Sequence, residues 1–280
     1  MQELFGVSPD DGLSMWVADM DFLPPREVNE ALAAEVAHGI HGYYADDGSY
    51  NAAIRGWMER RHGWTVEADW ILTCHGLVSG TALCLQAFSE PGDAVILFTP
   101  VYHAFHRITK ANGRPILQSP LVKRDGIYHM DLDALEAQLT GRERIVVFCS
   151  PHNPGGRVWS VAEIRALADF CARHDLILVS DEIHCDLTMP GETHHVAALA
   201  APEHLDRMVL LSAASKTFGL AGGMCGNAII PDAALRKRFA VPHAANGSHP
   251  NRFGPIMTTA AYDHGDAWLD ALRAYLDGNR

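Results

Sequence analysis

The sequence predicts an α/β fold, a three-layer, doubly wound and mostly parallel sheet with helices on both faces. Three observations carry this expectation. Short β-rich runs alternate with helical stretches along most of the 280 residues, which is the pattern of successive strand–helix–strand units. The β-rich runs are continuously apolar instead of alternating, as strands buried on both faces are. Polar residues collect directly after those runs, where the carboxyl ends of parallel strands open a ligand crevice.

The elements follow in order. After LPP (23–25), the stretch REVNEALAAEVAHG carries Val28, Leu32 and Val36 at helical spacing, with proline ahead of its first turn and Gly39 at its end. SYNAAIRGWMERRHG reads as a second helix closing at Gly63. The strand WILTC (70–74) leads into the helical GLVSGTALCLQAFSE, and DAVILF (93–98) leads through TPVYHAFH into another helix. RIVVFCS (144–150) leads into a loop and the helix VAEIRALADFCARHD, and LILVS (176–180) leads into DEIH. RMVLLS (207–212) precedes SAASKTFGLAGG, and CGNAII (225–230) follows it.

Composition narrows the function class. A formal net charge of −12 argues against a nucleic-acid or anionic-membrane surface. No apolar run approaches the ~18 residues of a membrane span, and the start MQELFGVSPDDG lacks a basic segment followed by an apolar core. The six cysteines are scattered with no C-x-x-C pair, which suits reduced thiols and a cytoplasmic protein. His194 and His195 form the adjacent histidine pair of THH, compatible with a transition-metal site or a solvated loop; no metal ligand is assigned.

The polar residues at the strand ends are His75 and Gly76, Tyr102, Asn153, Asp181, and Ser212 to Lys216. Asp181 is either a turn or capping aspartate or the partner of a buried cation. Lys216 stands among Ser, Ala and Gly, a costly place for an unused charge but a suitable one for an amine that bonds an aldehyde. Asn153 projects from a loop stiffened by two prolines and two glycines, either as part of a turn or as a donor to a phenolate-like oxygen. HGLVSGTAL starts a helix at a strand end, where free N–H groups suit a phosphate. Ser212 and Ser215 offer hydroxyls from another side, and Tyr102 is either a core aromatic or a ring that stacks on a planar ligand. An aldehyde-capturing lysine, a carboxylate, an amide, a stacking ring and a phosphate cradle together describe pyridoxal phosphate.

On MWVADMDF (15–22), GYY (42–44), TPVYHAF, SPHNPGGRVW, SDEIHCDL (180–187) and SAASKTFGLAG, the chain resembles fold-type I pyridoxal phosphate enzymes of the class I/II aminotransferase superfamily. Within it, the sequence is most similar to the cystathionine β-lyase branch of C–S lyases; His184 stands where ordinary aminotransferases usually carry tyrosine. The resemblance implies that Lys216 bonds the cofactor and moves the substrate α-proton, while Asp181 pairs with the pyridinium nitrogen. It implies Asn153 and His184 at the ring oxygen and Tyr102 stacked on the ring. Leu77, Val78, Ser212 and Ser215 would hold the phosphate, and Tyr43 would reach the phosphate of the neighbouring subunit in a homodimer with shared sites. The inferred reaction is β-elimination of an L-cysteine S-conjugate such as cystathionine. An aminotransferase, or a non-catalytic regulator keeping the fold, are the rival readings.

The expected division is an N-terminal segment over 1–22 lining the substrate side, a cofactor-binding domain over 23–250, and the start of an interdomain helix over 251–280. Members of the branch continue into a small domain that supplies the arginine for the substrate carboxylate. No basic residue here matches it, so the expectation is a chain that holds the cofactor with weak or no turnover. Met224 stands where many aminotransferases have a phosphate-binding arginine.

Overall fold

The computed structural model describes residues 6–8, 10–12, 17–45 and 47–279. Two helices open the fold, α1 (Arg26–His38) and α2 (Ser49–His62), each ended by a left-handed glycine, Gly39 and Gly63. Then come β1 (Ile71–Cys74), α3 (Leu77–Phe88), β2 (Ala94–Thr99), α4 (His103–Ala111) and β3 (Ile116–Pro120). A small hairpin of β4 (Val122–Arg124) and β5 (Ile127–His129), which the sequence did not suggest, precedes α5 (Leu132–Glu136). The chain continues through β6 (Glu143–Cys149), α6 (Val161–Arg173), β7 (Ile177–Asp181), α7 (Ala197–Ala200), β8 (Met208–Ser212), α8 (Ala214–Thr217) and β9 (Gly226–Ile229). It ends in α9 (Ala233–Ala245), α10 (Phe253–His264) and α11 (Asp266–Asp277).

Seven strands form one sheet in the order β1-β9-β8-β7-β6-β2-β3. The expected doubly wound, mostly parallel sheet is present; β9 runs antiparallel to both of its neighbours, and the other pairings are parallel. Strand periodicity sorts the apolar side chains onto two faces. Ile96, Phe98, Val146, Phe148, Leu178 and Leu210 face a core with Trp57, Phe218 and Tyr262. Val95, Leu97, Val147, Val179, Val209 and Leu211 face a second core with Leu85, Phe88 and Phe105. This alternation later decides which polar side chains reach the site.

Local signals account for the helix boundaries near it. Ser160 and Glu163 form a reciprocal capping box at the start of α6. The stretch from Phe253 to Asp277 forms two helices that meet at Gly265, and α10 contributes Ala260, Ala261 and Tyr262 to the first core. Among the described residues, no helix is long and apolar enough to cross a membrane.

Candidate active site

A cavity of about 750 Å³ lies where the sheet's parallel strands end. Lys216, Asp181, Asn153, His184, Tyr102, Leu77, Val78 and Ser215 all line it. Residues far apart in sequence thus meet for the reason the fold predicts, since parallel strands deliver their following loops to one edge of the sheet.

Asp181 is the last residue of β7, in register with Cys149 of β6 and Leu211 of β8. It is buried, and its Oδ1 accepts one hydrogen bond, from the backbone N–H of Ile183 at 3.1 Å. Burial pushes its carboxyl up to about 7; the Ile183 N–H counters this in part, and the charge of Glu182 adds to it. Such a carboxyl, with no ion pair among the described residues, is suited to a cation arriving from the cavity.

Lys216 sits in α8, directly after β8, and its chain neighbours are fixed on both sides. Phe218 N–H donates to Ala214 O at 3.0 Å and Leu220 N–H to Ser215 O at 2.8 Å. Burial, and then the nearby charge of Lys216, hold the His184 imidazole below its ordinary range, so it is neutral at neutral pH.

The loop carrying Asn153 is clamped from several directions. His152 N–H donates to Arg157 O at 2.7 Å, and its Nε2 donates to Pro100 O at 2.8 Å. Arg157 grips Glu163 through both carboxylate oxygens (2.6 and 2.7 Å) and lies over the Trp159 ring at 4.5 Å. Trp159 Nε1 donates to Cys149 O at 3.0 Å, and Asn153 N–H points to Cys149 Sγ at 3.3 Å. Tyr102 precedes α4, its ring held against His103 and Phe105 at centroid separations of 4.9 and 5.6 Å.

Also on the cavity, Gly76 precedes α3 with φ 80° and ψ 164°, backbone that an L side chain rarely adopts. No side chain caps the helix; Gly80 N–H is the first to reach back, to Gly76 O at 3.0 Å. The N–H groups of Leu77, Val78 and Ser79 therefore have no intrahelical acceptor, and all three residues line the cavity. An anionic group fits this cradle, an aldehyde fits Lys216, and a protonated ring nitrogen fits Asp181. Pyridoxal phosphate carries all three.

Two expected site residues are not brought to this cavity. Ser212 has the strand parity of Leu210, so it faces the first core, where its Oγ is buried without a hydrogen-bond partner and borders a separate small cavity with His62 and His194. The phosphate assignment of Ser212 is corrected accordingly, whereas Ser215, beyond the strand, lines the site. Tyr43 is fully exposed on the loop between α1 and α2 and does not line the cavity of its own chain. Of the N-terminal segment, Val17 and Ala18 line the cavity, while Met15 and Trp16 lie outside the described residues.

The structure adds wall residues that carried no assignment: His75, Ser79, His103, Cys149 and Met224. Ser79 follows from helix geometry, because it shares the first turn with Leu77 and Val78. Met224, at the position where many aminotransferases have a phosphate-binding arginine, lines the wall from a left-handed conformation with φ 45°. His194, one of the adjacent histidine pair, is buried with Nε2 2.8 Å from Glu182 Oε2.

Comparison with known proteins agrees with this geometry. The family model for aminotransferase class I and II matches residues 11–280. The chain is 41% identical over 279 residues to cystathionine beta-lyase PatB of Bacillus subtilis, covering 99% of this chain and 72% of that protein. It is 32% identical over 276 residues to protein MalY of Escherichia coli, covering 96% and 69%. Among solved structures, the PLP-bound C-S lyase from Staphylococcus hominis superposes with a TM-score of 0.89 at 33% identity, covering 95% of this chain and 67% of that one. A PLP-bound putative aminotransferase from Clostridium difficile gives 0.94 at 31% identity, covering 99% and 72%. With the strand-end lysine, aspartate and asparagine gathered on one cavity, the chain belongs to the class I and II aminotransferase family.

Proposed function

We propose that this chain is a pyridoxal phosphate-dependent C–S lyase acting on L-cysteine S-conjugates such as cystathionine, with thiol, pyruvate and ammonia as products. The observation that carries the reading is that Lys216 and the buried Asp181, which has no ion pair among the described residues, line one cavity. Identity to the named β-lyase and the kinship with C–S lyase structures favour elimination over transamination.

When bound, the cofactor supplies an aldehyde for covalent capture of amines and a ring that takes up the electron pair released at the substrate α-carbon. Lys216 is the residue that would bond that aldehyde and move the substrate α-proton. Asp181 would face the ring nitrogen and favour its protonated form. His184 and the amide of Asn153 would serve the ring oxygen, and Tyr102 would stack on the ring. The N–H groups of Leu77, Val78 and Ser79 and the Ser215 hydroxyl would hold the phosphate. In the net reaction the Cα–H and Cβ–S bonds break and the sulfur leaves with the bonding pair, acquiring a proton to become a thiol. Water then replaces the nitrogen at the α-carbon, releasing ammonia and pyruvate.

The same reading includes a cytoplasmic homodimer, supported by the exposed apolar side chains Val36, Ile40 and Tyr43 on α1 and the loop after it. In that dimer Tyr43 reaches the partner's phosphate. The N-terminal segment lines the substrate side through Val17 and Ala18.

The test is a titration with pyridoxal phosphate followed by a turnover assay. A visible absorbance band that is absent in Lys216→Ala is expected, together with pyruvate release from cystathionine without any added 2-oxo acid. No band at saturating cofactor overturns the cofactor reading. Turnover that requires a 2-oxo acid and retains sulfur in the product makes the chain an aminotransferase instead.

A further inference from the structure

His75 immediately precedes Gly76, the residue that opens α3, and lines the same cavity as Gly76, Leu77 and Val78. It also borders a neighbouring cavity of about 490 Å³ with Ser79 and His249. Nothing in the reaction scheme uses it, and yet it stands beside the anion cradle.

The reasoning is one of charge. A cofactor phosphate brings close to two negative charges at neutral pH. Helix N–H groups offer the equivalent of about half a positive charge. Among the described residues lining the cavity there is no arginine. The wall next to Gly76 is closed by Met224, whose Cε lies 3.8 Å from where a Cβ on Gly76 would be, and a thioether contributes no charge. The nitrogen bases on the cavity are Lys216, His184, His103 and His75. Lys216 is committed to the aldehyde. His184 is partly buried, and that desolvation and the charge of Lys216 lower its pKa. His103 opens α4, its ring packed edge-on against Tyr102 at 4.9 Å. His75 remains, exposed to solvent and one residue away from the cradle.

We infer that His75 is a phosphate-binding residue of the cofactor site, supplying the cationic hydrogen bond that α3 alone lacks. The inference rests on the cofactor reading above and assigns a role within it. It distinguishes the phosphorylated cofactor from its unphosphorylated form, because His75 contacts the phosphate and no other part of the ligand.

The experiment titrates cofactor-free protein with pyridoxal phosphate and, separately, with pyridoxal, following the visible band. His75→Ala is expected to weaken pyridoxal phosphate binding about tenfold, the scale of one solvent-exposed charge-assisted hydrogen bond, with pyridoxal affinity unchanged. His75→Gln, which keeps hydrogen-bonding capacity without the charge, is expected to lose as much. Unchanged phosphate-cofactor affinity in His75→Ala overturns the inference, as does full affinity in His75→Gln. An equal loss for both ligands overturns it too, because that marks a merely structural role, and so does a phosphate-selective loss in His103→Ala in place of His75→Ala. If the unaltered chain binds neither ligand, the cofactor reading itself fails and this inference falls with it.

Discussion

Thr217 Oγ1 donates a 2.6 Å hydrogen bond to Asp186 Oδ2, tying the residue after Lys216 to the turn that follows Asp181. The same carboxylate accepts from Trp57 Nε1 at 3.1 and 3.3 Å and lies 2.7 Å from His62 Nε2. The two chemical groups of the cavity are thus held relative to each other by a buried clamp outside the cavity wall. Burial alone would raise the Asp186 carboxyl, but hydrogen bonds and charge from His62, with Thr217 and Trp57, hold it below the usual range.

Thr217→Val should therefore destabilise the protein by about 1–3 kcal/mol, since a buried carboxylate loses one donor while side-chain volume is kept. A depressed carboxylate contributes stability above the unfolded-state pKa and loses it as pH falls through the folded one. Urea unfolding should show the variant losing stability at a higher pH than the parent on acidification. An unchanged unfolding midpoint at neutral pH would show that Asp186 is satisfied without Thr217.

Asp181→Asn should separate stability from function. The Asp181 carboxyl is raised by burial to about 7 from an ordinary 3.8, so the unfolded chain gives up its proton first as pH rises. Stability of the cofactor-free protein consequently falls between those two values and levels off above about 7. The asparagine variant avoids that loss, gaining roughly 2–4 kcal/mol at about pH 8 and little near pH 4. Pyruvate formation should fall steeply in the same variant because the ring nitrogen loses its anion. Equal unfolding midpoints of the two proteins across that pH range would show that the carboxyl is not buried as described.

Gly254→Ala tests the packing behind the Met224 wall. A Cβ there would lie 2.5 Å from Gly223 O and 2.6 Å from the Cβ of Cys225. Backbone cannot yield cheaply, so α10 must shift away from the end of SAASKTFGLAGG, where Asn251 Nδ2 already donates to Gly223 O at 2.7 Å. The expected cost is about 1–3 kcal/mol, with weakened cofactor binding, read by thermal unfolding and the visible titration. Parent-like values in both would mean that the close approach is not required.

Arg157→Ala should loosen the Asn153 loop while leaving the sheet intact. It removes the bidentate grip on Glu163, a bond to Tyr128 O and the guanidinium over Trp159. A loss of about 1–3 kcal/mol is expected, together with faster proteolysis within residues 151–158. Proteolysis confined to other loops would place the weak point elsewhere.

Much of this protein was legible in its linear pattern. Continuous apolar runs revealed the buried strands, the glycines after α1 and α2 marked their ends, and Lys216, Asp181 and Asn153 stood where parallel strands finish. Those features are local, set by side-chain periodicity and backbone preference. The reversed direction of β9, the hairpin of β4 and β5 and the break at Gly265 carry no comparable local mark, because they depend on which distant surfaces are free to pair or pack. Ser212 shows the same limit within the site. Its neighbours predicted a strand correctly, yet only the assembled sheet decides which face lies against the cavity and which against Trp57. His75 adjoins Gly76 in the chain itself, whereas only folding brought Met224, 148 residues further on, against the same glycine.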